Sequence, residues 1–346
     1  MRAARFYGGK DIRVETVPDP APGPGEALIG VRAAGICGSD LHGYRRAGAP
    51  GGPPRTPGHE LAGVVLALGP GAVGFAVGQP VAVEPLVGCG ACRFCRSGDY
   101  HLCPSLEHIG GARPGGFAEQ TVAPVDRLYP LPDALSFDEA SLLDVFAVAV
   151  HALTRVPVRP GERVAVIGTG AIGLSIAQAA AAAGGAVAVV GRREHPLQVA
   201  AQTAGALGVN SLQQDPLAAI QTWSQGEGAD VVFEAVGGAG GTLDLALQLA
   251  APHGRVGVVG SFQAPQMLDV RIGYRRELTL QWVWSYAHRG NRPEFAVALD
   301  MLARGQFQAA PLITHRYPLE RIAEAFGVAD DKAAAQAIKV LVIPFK

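Results

Sequence analysis

Four cysteines lie close together in the glycine-rich stretch GCGACRFCRSGDYHLCP, with the spacing C-x2-C-x2-C-x7-C. Four thiolates so near in sequence can surround one tetrahedral ion, and Zn²⁺ is the usual occupant of such a site. Because four protein ligands leave no open coordination position, the zinc ion is expected to be structural. The pattern assigns this ion to Cys89, Cys92, Cys95 and Cys103.

Two other chemistries use clustered cysteines. Iron–sulfur clusters of bacterial ferredoxins begin with the same C-x2-C-x2-C run, but their fourth cysteine follows after three residues rather than seven. Disulfides are disfavoured in the reducing cytosol, where clustered cysteines more often hold metal. Zinc is therefore the preferred interpretation over both alternatives.

A second chemical motif is the glycine pattern G-x-G-x-x-G in VAVIGTGAIGLS, which comprises Gly168, Gly170 and Gly173. It stands between a buried strand and a helix that opens with Ala171 and Ile172, the context that a dinucleotide fingerprint requires. The glycines permit a tight turn, close approach of a pyrophosphate, and close packing of helix on strand. The helix N-terminus favours phosphate, so the motif predicts a nicotinamide dinucleotide.

The residues after the next strand indicate which dinucleotide binds. A carboxylate there would hold the ribose 2′-hydroxyl of NAD, but this chain has Gly191, Arg192 and Arg193. Guanidinium groups suit a 2′-phosphate, so NADP(H) is predicted to be preferred, with NAD(H) as the alternative. The two arginines could instead be solvated surface residues, and Glu194 could reach a ribose.

Three further residues, a cysteine, a histidine and an aspartate, are of types that can ligate metal ions. Cys37 lies in GICGSDLHGY, and His59 lies in TPGHELAG. Asp144 lies in the apolar run SLLDVFAVAV, where an unpaired carboxylate would be costly to bury and a cation would offset that cost. Taken singly, these residues have ordinary structural interpretations, such as a small buried thiol or a hydrogen-bonded turn.

Together, the segments GICGSDLH, PGHE, the four-cysteine loop and GTGAIG occur in the order seen in the zinc-dependent medium-chain alcohol dehydrogenases. The resemblance spans essentially the whole chain and is strongest to the sorbitol and polyol dehydrogenase branch. It implies that Cys37 and His59 are ligands of a catalytic zinc ion. It also implies a third ligand, either Glu60 or Asp144, with the remaining position open to water or substrate.

The same resemblance assigns roles to other residues. Ser39 matches the hydroxyl that hydrogen-bonds the substrate oxygen, and His42 matches a proton-relay imidazole. The residues expected to contact the cofactor are Val236, Gly237, Gly260, Ser261 and Lys339. Sorbitol dehydrogenase-like proteins carry an Arg-Tyr pair near the nicotinamide; this chain has Ser285-Tyr286, a departure that argues against sorbitol itself.

Two kinds of region must position these groups. Short β-branched runs broken by glycine and proline predict an irregular, barrel-like β region in the first part of the chain. From RVAVIG onward strands alternate with helices, which predicts a doubly wound parallel sheet. The expected fold is an α/β protein with a GroES-like catalytic domain, residues 1–152 and 287–346, and a Rossmann cofactor-binding domain, residues 153–286.

Composition restricts the class of function. The chain has 346 residues, 49% hydrophobic and 17% charged, with a formal net charge of −1, so no nucleic-acid or anionic-membrane partner is expected. The start, MRAARFYGGKDIRV, lacks the apolar core of a signal peptide, and the expected location is cytoplasmic. A homodimer or homotetramer, formed through a Rossmann edge strand such as LTLQWVWSY, is expected from the resemblance.

These observations predict an enzyme that transfers a hydride between NADP(H) and a secondary alcohol or ketone. The expected substrate is a polyol, sugar alcohol or cyclitol. One alternative is a threonine dehydrogenase-like or simple alcohol dehydrogenase activity. Another, of a different class, is a non-catalytic NADPH-binding protein with structural zinc only.

Overall fold

A computed structural model describes residues 1–45, 54–238 and 240–344. Within them the strands are, in chain order, β1 Arg2–Gly8, β2 Asp11–Thr16, β3 Glu26–Gly35, β4 Glu60–Leu68, β5 Pro80–Val83, β6 Leu86–Val87, β7 Glu107–His108, β8 Gln120–Pro124, β9 Leu128–Pro130, β10 Arg163–Ile167, β11 Ala186–Gly191, β12 Leu207–Asn210, β13 Ala229–Glu234, β14 Ala250–Val258, β15 Thr279–Trp282, β16 His288–Arg289, β17 Arg292–Pro293, β18 Ile313–Pro318 and β19 Lys339–Ile343.

The α-helices of the described residues are, in chain order, α1 Gly38–Arg45, α2 Arg93–Ser97, α3 Phe137–Ala140, α4 Leu143–Arg155, α5 Ala171–Ala182, α6 Glu194–Ala204, α7 Pro216–Trp223, α8 Thr242–Leu249, α9 Val270–Arg276, α10 Glu294–Ala303, α11 Ile322–Asp330 and α12 Lys332–Ala335. Among them no helix combines the length and the apolar character needed to cross a membrane.

The chain divides into two compact units. The first unit contains Met1–Asp144 and the C-terminal segment from Ile313, and the second contains Val145–Leu312. The sequence-based boundaries at 152/153 and 286/287 fall within the second of these units. The C-terminal segment returns to the first unit because β19 pairs with β3.

The first unit is built on a seven-stranded sheet with the order β18-β19-β3-β4-β5-β9, in which β8 also pairs with β3. Apart from the parallel pair β18–β19, its strand pairs are antiparallel. Its core contains small and β-branched residues, among them Ile29, Val31, Val65 and Val81, and aromatic rings such as Phe117. This is the GroES-like β domain that the sequence predicts.

The second unit contains a parallel six-stranded sheet with the order β12-β11-β10-β13-β14-β15. Its strands read as nearly continuous apolar runs because helices cover parallel sheets on both faces. The chain reverses direction across the sheet between β10 and β13, and in such sheets ligands bind outside the carboxyl ends of the strands at that point. The predicted doubly wound fold is confirmed.

Candidate active site and metal centres

The four clustered cysteines converge in the structure of the first unit. One sulfur atom from each of Cys89, Cys92, Cys95 and Cys103 lies within 4.8 Å of the others. The helix α2 begins directly after Cys92, whose side chain caps it by accepting the Cys95 N–H. Gly88 has no side chain for a spatial reason, since a Cβ there would lie 2.8 Å from the Cys95 sulfur. The donor set and its geometry fit a zinc ion.

Backbone amides also face these sulfurs. The N–H of Cys92 donates to Cys89 Sγ at 3.4 Å, and the N–H of Cys89 donates to Cys103 Sγ at 3.4 Å. Hydrogen bonds from Ala91 and Cys92 lower the pKa of the Cys89 thiol to about 6. Because metal ligation requires thiolates, this arrangement favours the ligating form of that residue.

The second candidate metal group joins residues that are distant in sequence. One ligand atom each of Cys37, His59 and Glu60 lies within 4.8 Å of the others. Cys37 follows the end of β3 and its carbonyl accepts the Leu41 N–H at the start of α1. Glu60 is the first residue of β4 and pairs with Gly35, the last residue of β3. The register of these two strands therefore brings the three residues together.

A lysine from a third strand completes this arrangement. Lys339, at the start of β19, donates to both Glu60 carboxylate oxygens, at 2.7 and 2.5 Å, and to the Ile36 carbonyl at 3.2 Å. Lys339 is only 4% exposed and Glu60 is fully buried. The strand β3 lies between them, and Gly35 leaves room, since a Cβ there would lie 2.2 Å from Glu60 Oε2. The sequence assigned Lys339 to the cofactor phosphates; the structure places its ammonium group on Glu60.

Asp40 lies next to the other two residues of the group, Cys37 and His59. Its Oδ2 accepts the Cys37 N–H at 2.9 Å, and its Oδ1 lies 3.8 Å from His59 Nδ1. Burial alone would lower the pKa of His59, but the charges of Asp40, Cys37 and Asp144 outweigh it and raise that pKa well above its ordinary value. Burial raises the pKa of Asp40 itself.

Asp144 lies in the first turn of α4 and is half-buried. Its charge acts on both His59 and Lys339, although its oxygens are outside the 4.8 Å group. Acidic side chains and a thiol thus surround this centre, with Lys339 as the compensating cation. A soft sulfur, an imidazole and carboxylates form a donor set that fits Zn²⁺.

The two residues expected to handle the substrate proton share a helix. Ser39 and His42 both lie on α1, three residues apart, and therefore occupy the same face. Ser39 is exposed and His42 is half-buried. Ser39 and His42 follow Cys37 by two and five residues, so α1 connects their backbone to that of a candidate metal ligand.

The glycine turn of the second unit has the geometry that its motif requires. Gly168 adopts a φ of 119°, and Gly170 is the N-cap of α5 with nothing within 4 Å of an added Cβ. A Cβ on Gly173 would lie 2.1 Å from the Gly168 carbonyl, so helix and turn pack as closely as the motif predicts. The Ala171 and Ile172 amides begin the helix and face the open side of the turn.

The residues that end β11 have no room for a carboxylate at its last position. A Cβ on Gly191 would lie 2.3 Å from Thr169 Cγ2. Arg192 is exposed and Arg193 is half-buried at the N-cap of α6; burial and the neighbouring charge of Arg192 lower the pKa of Arg193. Glu194 Oε2 accepts from Asn210 Nδ2 at 3.4 Å.

The loops after β13 and β14 meet at the carboxyl edge of the parallel sheet. Gly238 donates its N–H to the Ser261 carbonyl at 2.9 Å, and a Cβ on Gly237 would lie 2.4 Å from that same oxygen. Val236 is 51% exposed, and Gly260 packs against Gly237. These loops place the predicted cofactor contacts on one edge.

The residues at the Arg-Tyr position of the sorbitol-type proteins differ here in conformation as well as in sequence. Ser285 adopts a φ of 58°, which is unusual for a residue with a side chain. Tyr286 is fully buried and packs on Phe295, with 5.8 Å between the ring centroids. Its ring is therefore part of the core of the second unit.

Several residues of the site had no sequence signal of their own. Asp40 lies in the segment GICGSDLH, but its spacing alone indicates no role. The partner of Lys339 depends on the register of the sheet. His108 contacts His59 edge-on, with ring centroids 4.9 Å apart, and burial together with the His59 charge lowers its pKa to about 4. Such contacts between remote segments cannot be read from local spacing.

Comparison with known families accounts for most of the chain. Residues 23–133 match the alcohol dehydrogenase GroES-like domain, and residues 171–304 match the zinc-binding dehydrogenase family. The first match covers Cys37, His59 and the four-cysteine loop. The second begins at Ala171, in the glycine turn, and covers the rest of the parallel sheet.

Individual relatives align over nearly the full length. Sorbitol dehydrogenase of Bacillus subtilis (strain 168) is 35% identical, with 99% of this chain and 97% of that protein covered. L-threonine 3-dehydrogenase of Pyrococcus horikoshii is 32% identical, with 94% and 93% covered. Both are similar to this chain across the two units, and the substrates in their names differ from one another.

Solved structures agree with the fold. A putative zinc-binding dehydrogenase from Sinorhizobium meliloti 1021, bound to NADP, superposes with a TM-score of 0.89 at 31% identity, covering 99% of each chain. A dehydrogenase from Escherichia coli CFT073, complexed with NADH, has a TM-score of 0.89 at 28% identity, again covering 99% of each chain. This chain belongs to the zinc-dependent medium-chain alcohol dehydrogenase family and is an NAD(P)-dependent alcohol oxidoreductase.

Proposed function

We propose that this enzyme oxidises a secondary alcohol of a polyol, sugar alcohol or cyclitol, and reduces the corresponding ketone, with NADP(H) as the preferred cofactor. The observation that carries the proposal is the buried group of Cys37, His59 and Glu60 at the joined ends of β3 and β4. Relatives named sorbitol dehydrogenase and L-galactonate-5-dehydrogenase support a polyhydroxylated substrate.

Two zinc ions per chain are proposed. The four cysteines would hold a structural ion, and Cys37 with His59 would hold the catalytic one together with a carboxylate from Glu60 or Asp144. Glu60 is the nearer carboxylate but is engaged by Lys339, whereas Asp144, in the first turn of α4, has a charge that raises the pKa of His59. Zinc content of the Glu60→Gln and Asp144→Asn proteins identifies the ligand, since only loss of the true ligand lowers it.

The residues of the candidate site then have distinct proposed roles. A zinc ion bound here supplies a Lewis acid that stabilises negative charge on the alcohol oxygen. The Ser39 hydroxyl would accept the substrate proton while giving its own proton to the His42 imidazole, which would release a proton to water. Asp40 would orient His59 by facing its Nδ1. The nicotinamide would accept the hydride.

The NADP preference is supported by the end of β11. Two adjacent guanidinium groups, on Arg192 and Arg193, repel one another, and a 2′-phosphate would relieve that repulsion. Glu194 is engaged with Asn210. The proposal therefore assigns the 2′-phosphate to Arg192 and Arg193.

The second unit offers a surface for self-association. Strand β15 is one edge of the parallel sheet, and its Trp282 is 63% exposed. Tyr274 and Met267, which precede it in the same unit, are 85% and 95% exposed. Large exposed apolar groups at a sheet edge favour a partner. We propose a cytoplasmic homodimer or homotetramer formed at this edge, which light scattering can measure.

The deciding experiment is a substrate panel. Polyols, amino alcohols including L-threonine, and simple secondary alcohols are each assayed with NAD⁺ and NADP⁺. The proposal expects the highest kcat/KM for a polyol with NADP⁺. A higher value for L-threonine would favour the threonine dehydrogenase alternative, which the Pyrococcus relative supports. Absence of turnover with every alcohol, in protein that binds cofactor, would favour a non-catalytic binding protein.

A further inference from the structure

Glu234 is a buried carboxylate in the second unit whose role the site described above does not explain. It is the last residue of β13 and is fully buried. Its Oε1 accepts three hydrogen bonds, from Val236 N–H and Gly237 N–H at 2.9 Å each and from the Thr242 hydroxyl at 2.8 Å. No described Lys or Arg pairs with it. Burying a carboxylate costs free energy, and the three hydrogen bonds to Glu234 offset part of that cost.

The position of Glu234 connects it to the cofactor crevice. In the register of β10 and β13, Glu234 lies directly beside Ile167. Ile167 is the residue before Gly168, the first glycine of the turn. Between these two strands the chain order reverses, so the crevice opens immediately beyond them. The Ala235 N–H donates to the Ile167 carbonyl at 2.8 Å, and a Cβ on Gly168 would lie 3.0 Å from the Ala235 carbonyl. Residues 235–237 therefore stand against the glycine turn.

The second carboxylate oxygen faces the next strand. Glu234 Oε2 is buried without a hydrogen-bond partner among the described residues, and a Cβ on Gly260 would lie 2.3 Å from it. The backbone carbonyl of Glu234 accepts the N–H groups of Val259 and Gly260 at 2.8 and 3.0 Å. One residue thus contacts the loops after β13 and β14 and the first residue of α8.

We infer that Glu234 is a positioning residue for the cofactor, and that its carboxylate holds the wall of the crevice opposite the glycine turn. The side chain of Val236 is half-exposed, and its orientation depends on the hydrogen bond from the Val236 N–H to Glu234 Oε1. Without the acceptor, the buried N–H of Gly237 and the partly buried N–H of Val236 would lose their partner, and the loop would have to move to satisfy them. The inference rests on the proposed function only in that a nicotinamide dinucleotide binds this unit.

The test measures cofactor affinity directly in the zinc-loaded full chain. Dissociation constants for NADPH and NADH are determined by fluorescence titration, and KM for the best alcohol is determined separately. Glu234→Ala is expected to raise the NADPH dissociation constant by about tenfold or more while KM for the alcohol changes little, because the donors it leaves are unpaired. Glu234→Gln retains one acceptor oxygen and is expected to stay within about threefold of the parent.

Two further variants keep the result interpretable. Ile220→Ala removes a fully buried core side chain on α7, a helix that carries none of the predicted cofactor contacts, and is expected to lower the melting temperature without weakening NADPH binding. Thr242→Val removes a single donor and is expected to weaken NADPH binding by about threefold, which preserves the test if Glu234→Ala does not fold.

The outcomes separate this inference from the proposed function. An NADPH dissociation constant unchanged in Glu234→Ala, or raised equally in Ile220→Ala, overturns the positioning role alone. Failure of the parent protein to bind either NADPH or NADH overturns the proposed cofactor and this inference with it. The expected order of affinities, parent, then Glu234→Gln, then Glu234→Ala, supports the inference.

Discussion

Cys89, Cys92, Cys95 and Cys103 come from one short loop, whereas Cys37, His59, Glu60 and Lys339 lie in or next to three strands of one sheet. In the loop, neighbouring backbone amides face the sulfurs and sequence spacing alone sets the geometry. In the sheet, the register of β19, β3 and β4 sets it, and a buried ion pair balances the charge. The first centre depends on local chain geometry and the second on the whole fold of the first unit.

The largest expected effect separates the two centres by function. Cys37→Ser should remove the catalytic zinc ion and lower kcat/KM by about 1,000-fold, equivalent to about 4 kcal/mol of transition-state stabilisation. Zinc content measured by atomic emission should fall from two ions to one per chain. Full activity in this variant would contradict the assignment, and Cys103→Ser is its matched control.

Lys339→Met tests the buried ion pair of the sheet-built centre. Removing the ammonium leaves the Glu60 carboxylate buried beside Cys37, and breaking a buried pair costs about 3 kcal/mol of unfolding free energy or more. Chemical denaturation measures the loss. The double variant Lys339→Met, Glu60→Gln should recover most of the stability, because it leaves no unpaired charge. Equal stability of the single variant and the parent would show that the pair contributes nothing.

Cys103→Ser should affect stability more than catalysis. Loss of one of four ligands releases the structural zinc ion and lowers the free energy of unfolding by about 2 kcal/mol, since metal binding contributes to folding. The fraction that stays folded should retain kcat within about twofold, as the loop-built centre touches no substrate. A large loss of kcat with an unchanged melting temperature would contradict this division of roles.

The smallest expected effect concerns cofactor choice. Arg192→Asp places a carboxylate next to the 2′-position, and the ratio of kcat/KM for NADP⁺ over NAD⁺ should fall by about tenfold. Arg155→Asp, at the exposed last residue of α4 in the same unit, serves as the control for a change of charge alone. A constant ratio in Arg192→Asp would mean that this side chain does not contact the phosphate.

Local patterns predict much of this molecule. The glycine turn, the four-cysteine loop and the alternation of strands and helices are contiguous in sequence, and their geometry follows from backbone sterics and helix-terminus chemistry. Roles of Asp40, His108 and Glu234 depend on contacts made after folding, across strands or between a strand end and the following loop. Lys339 illustrates the difference. The sequence predicts that it contacts the cofactor phosphates, whereas the pairing of β19 with β3 places its ammonium group against the Glu60 carboxylate.

Gly35 carries no functional group, yet the buried ion pair of Lys339 and Glu60 depends on the space that it leaves. A methyl group on the α-carbon of Gly35 would lie 2.2 Å from Glu60 Oε2, an oxygen that accepts a hydrogen bond from Lys339. Mutational surveys confined to ionisable side chains would overlook it. A side chain at Gly35 is therefore expected to disturb the Lys339–Glu60 pair, although the glycine itself contributes only space.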